Sequence, residues 1–524
     1  MHSCQLYLTL LTARINGDAR RSAFSVAEKS VIVIGAGIGG LAAALSLAAS
    51  GHNVTVLERA ARVGGKMRSL AVGGVPVEAG PTVFTMRWVF EELFAEAGAD
   101  LESEMRLRPA TLLARHAWNA HERLDLFADI ETSAAAIGAF AGAREAEGYR
   151  RFCARAAEVY RTLEGPFIRA DRPSPVDLAQ RVGLAGIGSL WRIQPFATLW
   201  SALGEYFRDP RLHQLFGRYA TYCGASPFEA PATLMLVAYV EQAGVWTVEG
   251  GLSRLARTVA DLAERRGVSL RTGADVTRIL TERGRVAGVE LVGGERIAAD
   301  AVIANADVAA LGGGLLGRDA AAAGDRVPAR ERSLSALTIC TTARATGFAL
   351  AHHSVFFSSD YRAEFDAILR GRRLPPDPTV YVCAQDRDGD GGSASEGPER
   401  LLLLVNAPAD GGERRFSPTE IAACETTIHR KLSACGLTLE PTGSGTITTP
   451  QDFAELFPGT SGALYGRASH GWTATFKRPG VRTRVPGLYL AGGSVHPGPG
   501  VPMAAQSGRL AAAALRADLA STGR

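Results

Sequence analysis

Hydrophobic positions along this chain follow more than one rhythm. Residues 31–34 (VIVI) form an unbroken apolar run, the pattern of a strand buried on both faces. After a glycine cluster, Leu41, Ala44, Leu45 and Ala48 return at helical spacing, and Gly51 offers a stop. A second apolar strand follows at 54–57. Strand–turn–helix recurs at the far end of the chain, in 486–508 (PGLYLAGGSVHPGPGVPMAAQSG). Between these ends the pattern is that of short strands. A hairpin is expected at 112–117 and 123–126 around Asn119-Ala120, and a run of short strands over 269–307 (SLRTG, VTRIL, VAGVEL, ERIAADAVIANAD). A further strand pair, 379–383 and 401–405, flanks an Asp/Gly/Ser loop. Residues 133–165 read as helical. Ser417-Pro418-Thr419-Glu420 is a capping box with proline at the first helical position, starting a helix that Cys435-Gly436 ends.

The glycine cluster after the first strand carries chemistry. Gly35, Gly37 and Gly40 spell G-x-G-x-x-G between a strand and a helix. Gly35 serves the tight turn, Gly37 the close approach of a pyrophosphate, and Gly40 the packing of helix on sheet. The helix N-terminus points its amides and dipole at the phosphates. Glu58 closes the second strand at the spacing expected of a carboxylate that binds the adenosine ribose. Residues 31–51 contain no charge and mimic a membrane span, but the glycine density and Glu58 favour a nucleotide unit. The next stretch, RAARVGGKMR, pairs Gly64 and Gly65 with Lys66 and Arg68, which suits a second wrap around a diphosphate.

From these residues onward the sequence resembles the FAD-containing amine oxidase and phytoene desaturase superfamily, in which the second glycine pair and its basic neighbour contact FAD. The run 78–82 (EAGPT) continues the resemblance. It implies that Val276 meets the adenine through backbone groups. It also implies that the closing motif, with Gly492, Gly493, Ser494, Pro502 and Met503, brings a helix N-terminus under the flavin pyrimidine ring. Ser494 stands near a place where many members carry Asp. Stretches 209–224 and 245–255 resemble bacterial carotenoid desaturases. The pairing of 462–472 (GALYGRASHGW) with the closing motif is most similar to the hydroxyneurosporene and methoxyneurosporene desaturases. The implied activity is introduction of a C=C bond into an acyclic carotenoid beside a hydroxylated or methoxylated end, with hydride passing to the flavin. Phytoene desaturation, flavin-dependent carotenoid isomerisation, amine oxidation and a non-catalytic lipid escort are the other readings. The implied fold class is α/β, with a Rossmann-type FAD-binding domain and a discontinuous α+β substrate domain. Residues 30–110, 245–310 and 471–524 are expected to bind FAD. Residues 111–244, in part membrane-associated, and 311–470 are expected to form the substrate domain, and 1–29 an extension without structure of its own.

Composition narrows the partners. At 524 residues the chain is long enough for two cores. A net charge of +4 gives no support for nucleic acid. Seven scattered cysteines, with no C-x-x-C, argue against a disulfide framework or a metal site and fit a reducing cytoplasm. Basic residues Arg14, Arg20 and Arg21 follow the apolar stretch 6–11, the reverse of a secretory signal. Loop 386–397 (DRDGDGGSASEG) mimics a calcium loop but ends on Gly397 where a bidentate Glu is needed, so a solvated hairpin tip is expected. No residue identifies the electron acceptor. His496 and His470 are the two histidines of the flavin-side motifs; each either takes a proton, orients a polar end group, or fixes backbone shape. Segment 183–208, crowded with Trp191, Phe196, Trp200 and Phe207, has the composition of an interfacial helix that dips into a membrane surface. A buried helix of the substrate domain has the same periodicity. An apolar carotenoid is the expected substrate, and a membrane surface the expected partner of a peripheral enzyme.

Overall fold

The computed structural model describes residues 29–182, 196–387 and 397–522. The apolar runs assemble a five-stranded parallel sheet in the order Leu488–Leu490, Ala301–Ala304, Ser30–Ile34, Asn53–Glu58, Ser269–Thr272. Its central strands are buried over residues 31–34 and Ala301–Ala304, as parallel strands covered on both faces must be. Helix Ile38–Ala48 is buried at every position from 38 to 47. It lies between helices Leu252–Arg265 and Val501–Thr522, which explains why it carries no charge without spanning a membrane. The contact with Val501–Thr522 is glycine-mediated: a Cβ on Gly39 would sit 2.9 Å from the Ala504 carbonyl oxygen, and one on Gly508 would overlap the Gly39 carbonyl oxygen.

The run of short strands over 269–307 divides between two sheets. Only Val276–Glu282, Arg285–Leu291 and Arg296–Ala298 form a separate antiparallel meander. Ser269–Thr272 and Ala301–Ala304 belong to the parallel sheet instead. The physical reason is local for Ala301–Ala304, whose AVIA is uninterrupted and buried, whereas the meander strands mix buried with exposed positions.

A larger sheet orders Thr438–Pro441, Ser335–Thr346, Glu399–Ala407, Val380–Ala384, His353–Phe356, Leu112–Ala117 and Arg123–Phe127, with Thr446–Thr448 also on Ser335–Thr346. Alternation along Glu399–Ala407 separates its faces. Leu401, Leu403 and Val405 share a core with Cys424, Ile428 and Leu432 of helix Pro418–Ala434. That helix begins at the expected capping box, Ser417 with Glu420. Leu402, Leu404 and Asn406 face the other way, into a cavity.

Candidate functional site

The cavity, about 1230 Å³, runs from the carboxyl ends of the parallel strands to the open face of the large sheet. It exceeds the roughly 300–1,000 Å³ of an ordinary small-molecule site, so it has room for a dinucleotide and a second ligand together.

One end is built from backbone. Gly37 precedes helix Ile38–Ala48 and forms a parallel bridge with Gly64. The Gly64 amide donates to the Ala36 carbonyl at 2.8 Å. A Cβ on Gly65 would lie 3.4 Å from the Gly37 Cα, and one on Gly37 would lie 2.9 Å from Asn305 Nδ2. The two glycine loops are thus edge to edge, with no room between them for side chains. Glu58 holds this arrangement: its carboxylate accepts from the Ala36 amide at 2.7 Å and the Ala60 amide at 2.8 Å, and it borders the cavity with lone pairs to spare. Gly40 does not border the cavity. Its place is against the Gly35 carbonyl, which any Cβ would overlap, so it serves helix packing.

Lys66 and Arg68 border the same end. Lys66 Nζ donates to the Leu464 carbonyl at 2.5 Å and lies over the Phe457 ring, and burial lowers its pKa. Arg68 donates to Thr448 Oγ1 at 3.2 Å and lies over Phe453. Among the described residues neither pairs with a carboxylate, so both remain available to an anion. Val276, Gly492, Gly493, Ser494, Pro502 and Met503 all line the cavity. Ser494 Oγ accepts from the Val308 amide at 3.1 Å and so fixes the closing turn. Helix Val501–Thr522 starts at the wall with no acidic residue in its first turn, leaving its positive end to a ligand.

Two residues here escaped sequence reasoning. Asn305 donates to the Gly35 carbonyl at 3.1 Å, and its Oδ1 would be 2.8 Å from a Cβ on Gly39 or Gly492. It joins the glycine turns of both ends of the chain. Its only signal is its position directly after the strand 301–304. Arg478, almost wholly buried, donates to the Gly493 carbonyl at 3.1 Å and the Arg467 carbonyl at 2.6 Å. Burial brings its pKa down to about 10. Nothing local in the sequence marks it.

Both candidate histidines stand outside the cavity lining. His496 is fully buried; its Nε2 donates to the Phe167 and Ala170 carbonyls at 2.8 and 3.0 Å, and burial pushes its pKa down to about 4. It is a neutral tie between the closing turn and residues 167–170. His470 Nε2 accepts from the Ser226 amide at 3.0 Å, which places its proton on Nδ1, 3.1 Å from Glu229.

The other end of the cavity is built from side chains. Leu163, Ile168, Leu234, Val237 and Val240 supply an apolar wall opposite Leu402 and Leu404 of the large sheet. Thr338, Leu404 and Tyr381 lie side by side in register on three strands of that sheet. Tyr381 Oη is 2.7 Å from both Thr82 Oγ1 and His353 Nδ1. Of Phe216, Tyr219 and Tyr222, the first two pack a core and only Tyr222 borders the cavity. Tyr219 Oη donates to Glu241 at 2.8 Å, and burial raises the Glu241 pKa. Arg218 also lines this end, a residue that sequence reasoning did not single out. Its Nη1 donates to Tyr222 Oη at 3.3 Å, and its guanidinium lies 5.4 Å from the ring centroids of Tyr222 and Tyr381.

Part of the expected interfacial segment is corrected. Leu199, Leu203 and Phe207 are core residues, and Trp200 packs on Phe228 at 4.6 Å and His213 at 5.5 Å. Their helical spacing answers to internal packing. Trp191 lies outside the described residues, as does most of the 386–397 loop, where Asp386 pairs with Arg400. Phe196 and Trp472, by contrast, are 60% and 46% exposed and meet edge to face at 5.3 Å. No helix among the described residues is long and apolar enough to cross a membrane.

Comparison with known proteins agrees with this geometry. Residues 38–516 match the family model for flavin-containing amine oxidoreductases. A hydroxyneurosporene desaturase of Rubrivivax gelatinosus is 55% identical over 94% of each chain. One of Cereibacter sphaeroides is 46% identical over 94% of this chain and 99% of its own. A 1-hydroxycarotenoid 3,4-desaturase of a Flavobacterium species is 29% identical over 92% of this chain and 98% of its own. Among solved structures, a putrescine oxidase bound to putrescine shares the fold at TM-score 0.58 and 16% identity, covering 94% of this chain and 99% of its own.

Proposed function

The chain belongs to the flavin-containing amine oxidoreductase family; it is an oxidoreductase with FAD as its cofactor, and from that premise we propose the reaction and the site. The protein is a carotenoid desaturase. It introduces a C=C bond into an acyclic carotenoid beside a 1-hydroxylated or 1-methoxylated end. The observation that carries this reading is the 43–55% identity, over nearly the whole chain, to three hydroxyneurosporene desaturases. The cavity supports it: a long apolar wall suits a polyene. Among the described residues Arg218 puts a cation at that end, which disfavours a charged amine ligand.

When bound, FAD supplies the acceptor for hydride from the carbon–carbon single bond. The chain's own residues do the rest. Glu58 takes the ribose, while the edge-to-edge loops at Gly37, Gly64 and Gly65 admit the diphosphate, with Lys66 and Arg68 balancing its charge. Gly492, Gly493, Ser494, Pro502 and Met503 border the ring end, where the start of helix Val501–Thr522 favours negative charge by about 0.3–1 kcal/mol. Leu163, Val237, Val240 and Leu404 exclude water and align the polyene.

This reading divides the chain into a flavin unit (30–110, 245–310, 471–524) and a substrate unit (111–244, 311–470). It is supported by the provenance of the strands: the parallel sheet draws only on the first set, the large sheet only on the second. A carotenoid leaves water at roughly 0.8 kcal/mol per CH₂, so the enzyme collects it from a bilayer. Phe196 and Trp472 are the contact we assign to that surface. The test is turnover of hydroxyneurosporene and of phytoene presented in liposomes, with products separated by chromatography. A new conjugated double bond in hydroxyneurosporene alone is expected; inertness toward both substrates would refute the desaturase. Phe196→Ser with Trp472→Ser is expected to weaken liposome binding and to recover activity when the substrate is in detergent micelles.

A further inference from the structure

We propose that Arg218 is the receptor for the oxygen atom on the substrate's end group, and so the residue that distinguishes an oxygenated carotenoid from a hydrocarbon one. The inference rests on the desaturase reading above. It begins from an anomaly. A cavity shaped for a hydrocarbon has no use for a half-buried cation, and a guanidinium is costly to desolvate without acceptors. Yet Arg218 lines the cavity, and among the described residues no carboxylate lies within 4.0 Å of it. A guanidinium offers five N–H donors. The single hydrogen bond described for this side chain is the long one to Tyr222 Oη, at 3.3 Å.

The surroundings keep the group charged without saturating it. Tyr222 and Tyr381 present ring faces at 5.4 Å, a cation–π environment that stabilises positive charge and uses no donor. Glu241 is engaged by Tyr219 at 2.8 Å rather than by Arg218. Tyr381 is itself pinned between Thr82 and His353. The free donors therefore belong to a ligand. A hydroxyl and a methoxy oxygen both carry lone pairs, so a donor-only group accepts either. A hydrocarbon end leaves the cation desolvated and unpaired, the arrangement by which polar sites reject analogues lacking one oxygen most strongly.

Placement agrees. The name of the Flavobacterium relative puts the oxygen on C1 and the new double bond between C3 and C4, only two bonds away. The anchor must then lie near the reacting end of the cavity. Arg218 opens the 3-10 helix Arg218–Cys223, and Gly224 just beyond it abuts Ser333 and the ring of Tyr465. Tyr465 precedes Gly466, where a Cβ would lie 2.8 Å from the Cβ of Ser494 in the closing turn assigned to the ring end.

The experiment compares a 1-hydroxycarotenoid with the same carotenoid lacking the oxygen, on wild type, Arg218→Leu and Arg218→Lys. Flavin absorbance confirms folded holoenzyme. For Arg218→Leu, kcat/KM on the hydroxylated substrate is expected to fall by about 10²-fold or more, with little change on the hydrocarbon. Dissociation constants from the carotenoid absorption shift should move in the same sense. Arg218→Lys is expected to restore part of the preference, because it keeps a charged donor. Equal losses on both substrates, at full flavin content, would overturn the inference while leaving the desaturase intact. A wild type inert toward both would overturn the desaturase reading first.

Discussion

The two ends of the cavity are made by different means. The dinucleotide end is a backbone construction: Gly37 against Gly64, Gly65 against Gly37, and a carboxylate that ties two amides. The proposed substrate end is a side-chain construction, in which Arg218 and Tyr222 of one 3-10 helix meet Glu241 and Tyr381 from separate stretches of chain over an apolar wall. On the reading proposed above, the first holds FAD, and its loops leave almost no room for an added atom. The second leaves donors and hydroxyls that can change one at a time. On that reading cofactor choice is rigid in this molecule and substrate choice adjustable.

The sharpest way to break that contrast is Gly37→Val. Gly37 has φ −71°, a value open to any residue, so the substitution adds volume without backbone strain. Flavin content is expected to fall at least about tenfold while the protein stays folded, since the added side chain meets Asn305 Nδ2, 2.9 Å from the new Cβ, and crowds the two glycine loops where they touch. Absorbance of the purified protein in the flavin bands, alongside circular dichroism, measures this; full flavin occupancy would mean that the loop is not the diphosphate site.

A second test addresses the layer behind the substrate wall. Glu364 is buried, accepts from Thr379 Oγ1 at 2.7 Å through one oxygen, and has no partner among the described residues for the other. Burial raises its pKa to about 7. A carboxyl whose pKa is raised in the folded state is protonated there while the unfolded chain has already ionised. Its stabilisation is therefore complete below the unfolded value near 4.5 and is lost as pH rises to about 7, on the order of 3 kcal/mol in all. Glu364→Gln is expected to flatten the denaturant midpoint between pH 4.5 and 8. An unchanged slope in the variant would show that Glu364 is already ionised in the native state.

The smallest effect belongs to His496. Its pKa is lowered, so the sign reverses: stability is present above about 6.5 and declines as pH falls toward 4. His496→Asn is expected to keep its flavin, to lower turnover only a few-fold, and to remove that acid-side decline. A loss of about 10²-fold in turnover at full flavin content would instead make it the proton acceptor.

How much of this was legible in the sequence follows from the same contrast. A glycine that must let two backbones touch is demanded locally, so Gly35, Gly37, Gly64 and Glu58 could be read from spacing, and Gly40 likewise as a packing residue. Uninterrupted runs such as 31–34 declared buried parallel strands. What was not legible depends on convergence. Arg218 sits in a stretch whose aromatic neighbours, Phe216 and Tyr219, are ordinary core, and only the fold turns it and Tyr222 toward Tyr381, some 160 residues on. Trp200 and Leu203 shared their periodicity with an interfacial helix, and pattern alone does not say which apolar surface receives it. Arg478 acts on carbonyls, and its own sequence neighbourhood gives no hint of that.

The parallel sheet has a consequence in time. Its first strand is Ser30–Ile34, but the strand beyond Ala301–Ala304 is Leu488–Leu490, and the helix that closes the cavity ends at Thr522. At 5–20 residues per second, ribosomal synthesis of what separates these pieces lasts on the order of half a minute to a minute and a half. Throughout that interval the nascent chain carries the uncharged helix Ile38–Ala48 without the C-terminal helix that covers it, and the FAD site lacks its final wall. On the proposed site, cofactor capture is consequently a late event that waits for strand Leu488–Leu490 and the start of helix Val501–Thr522.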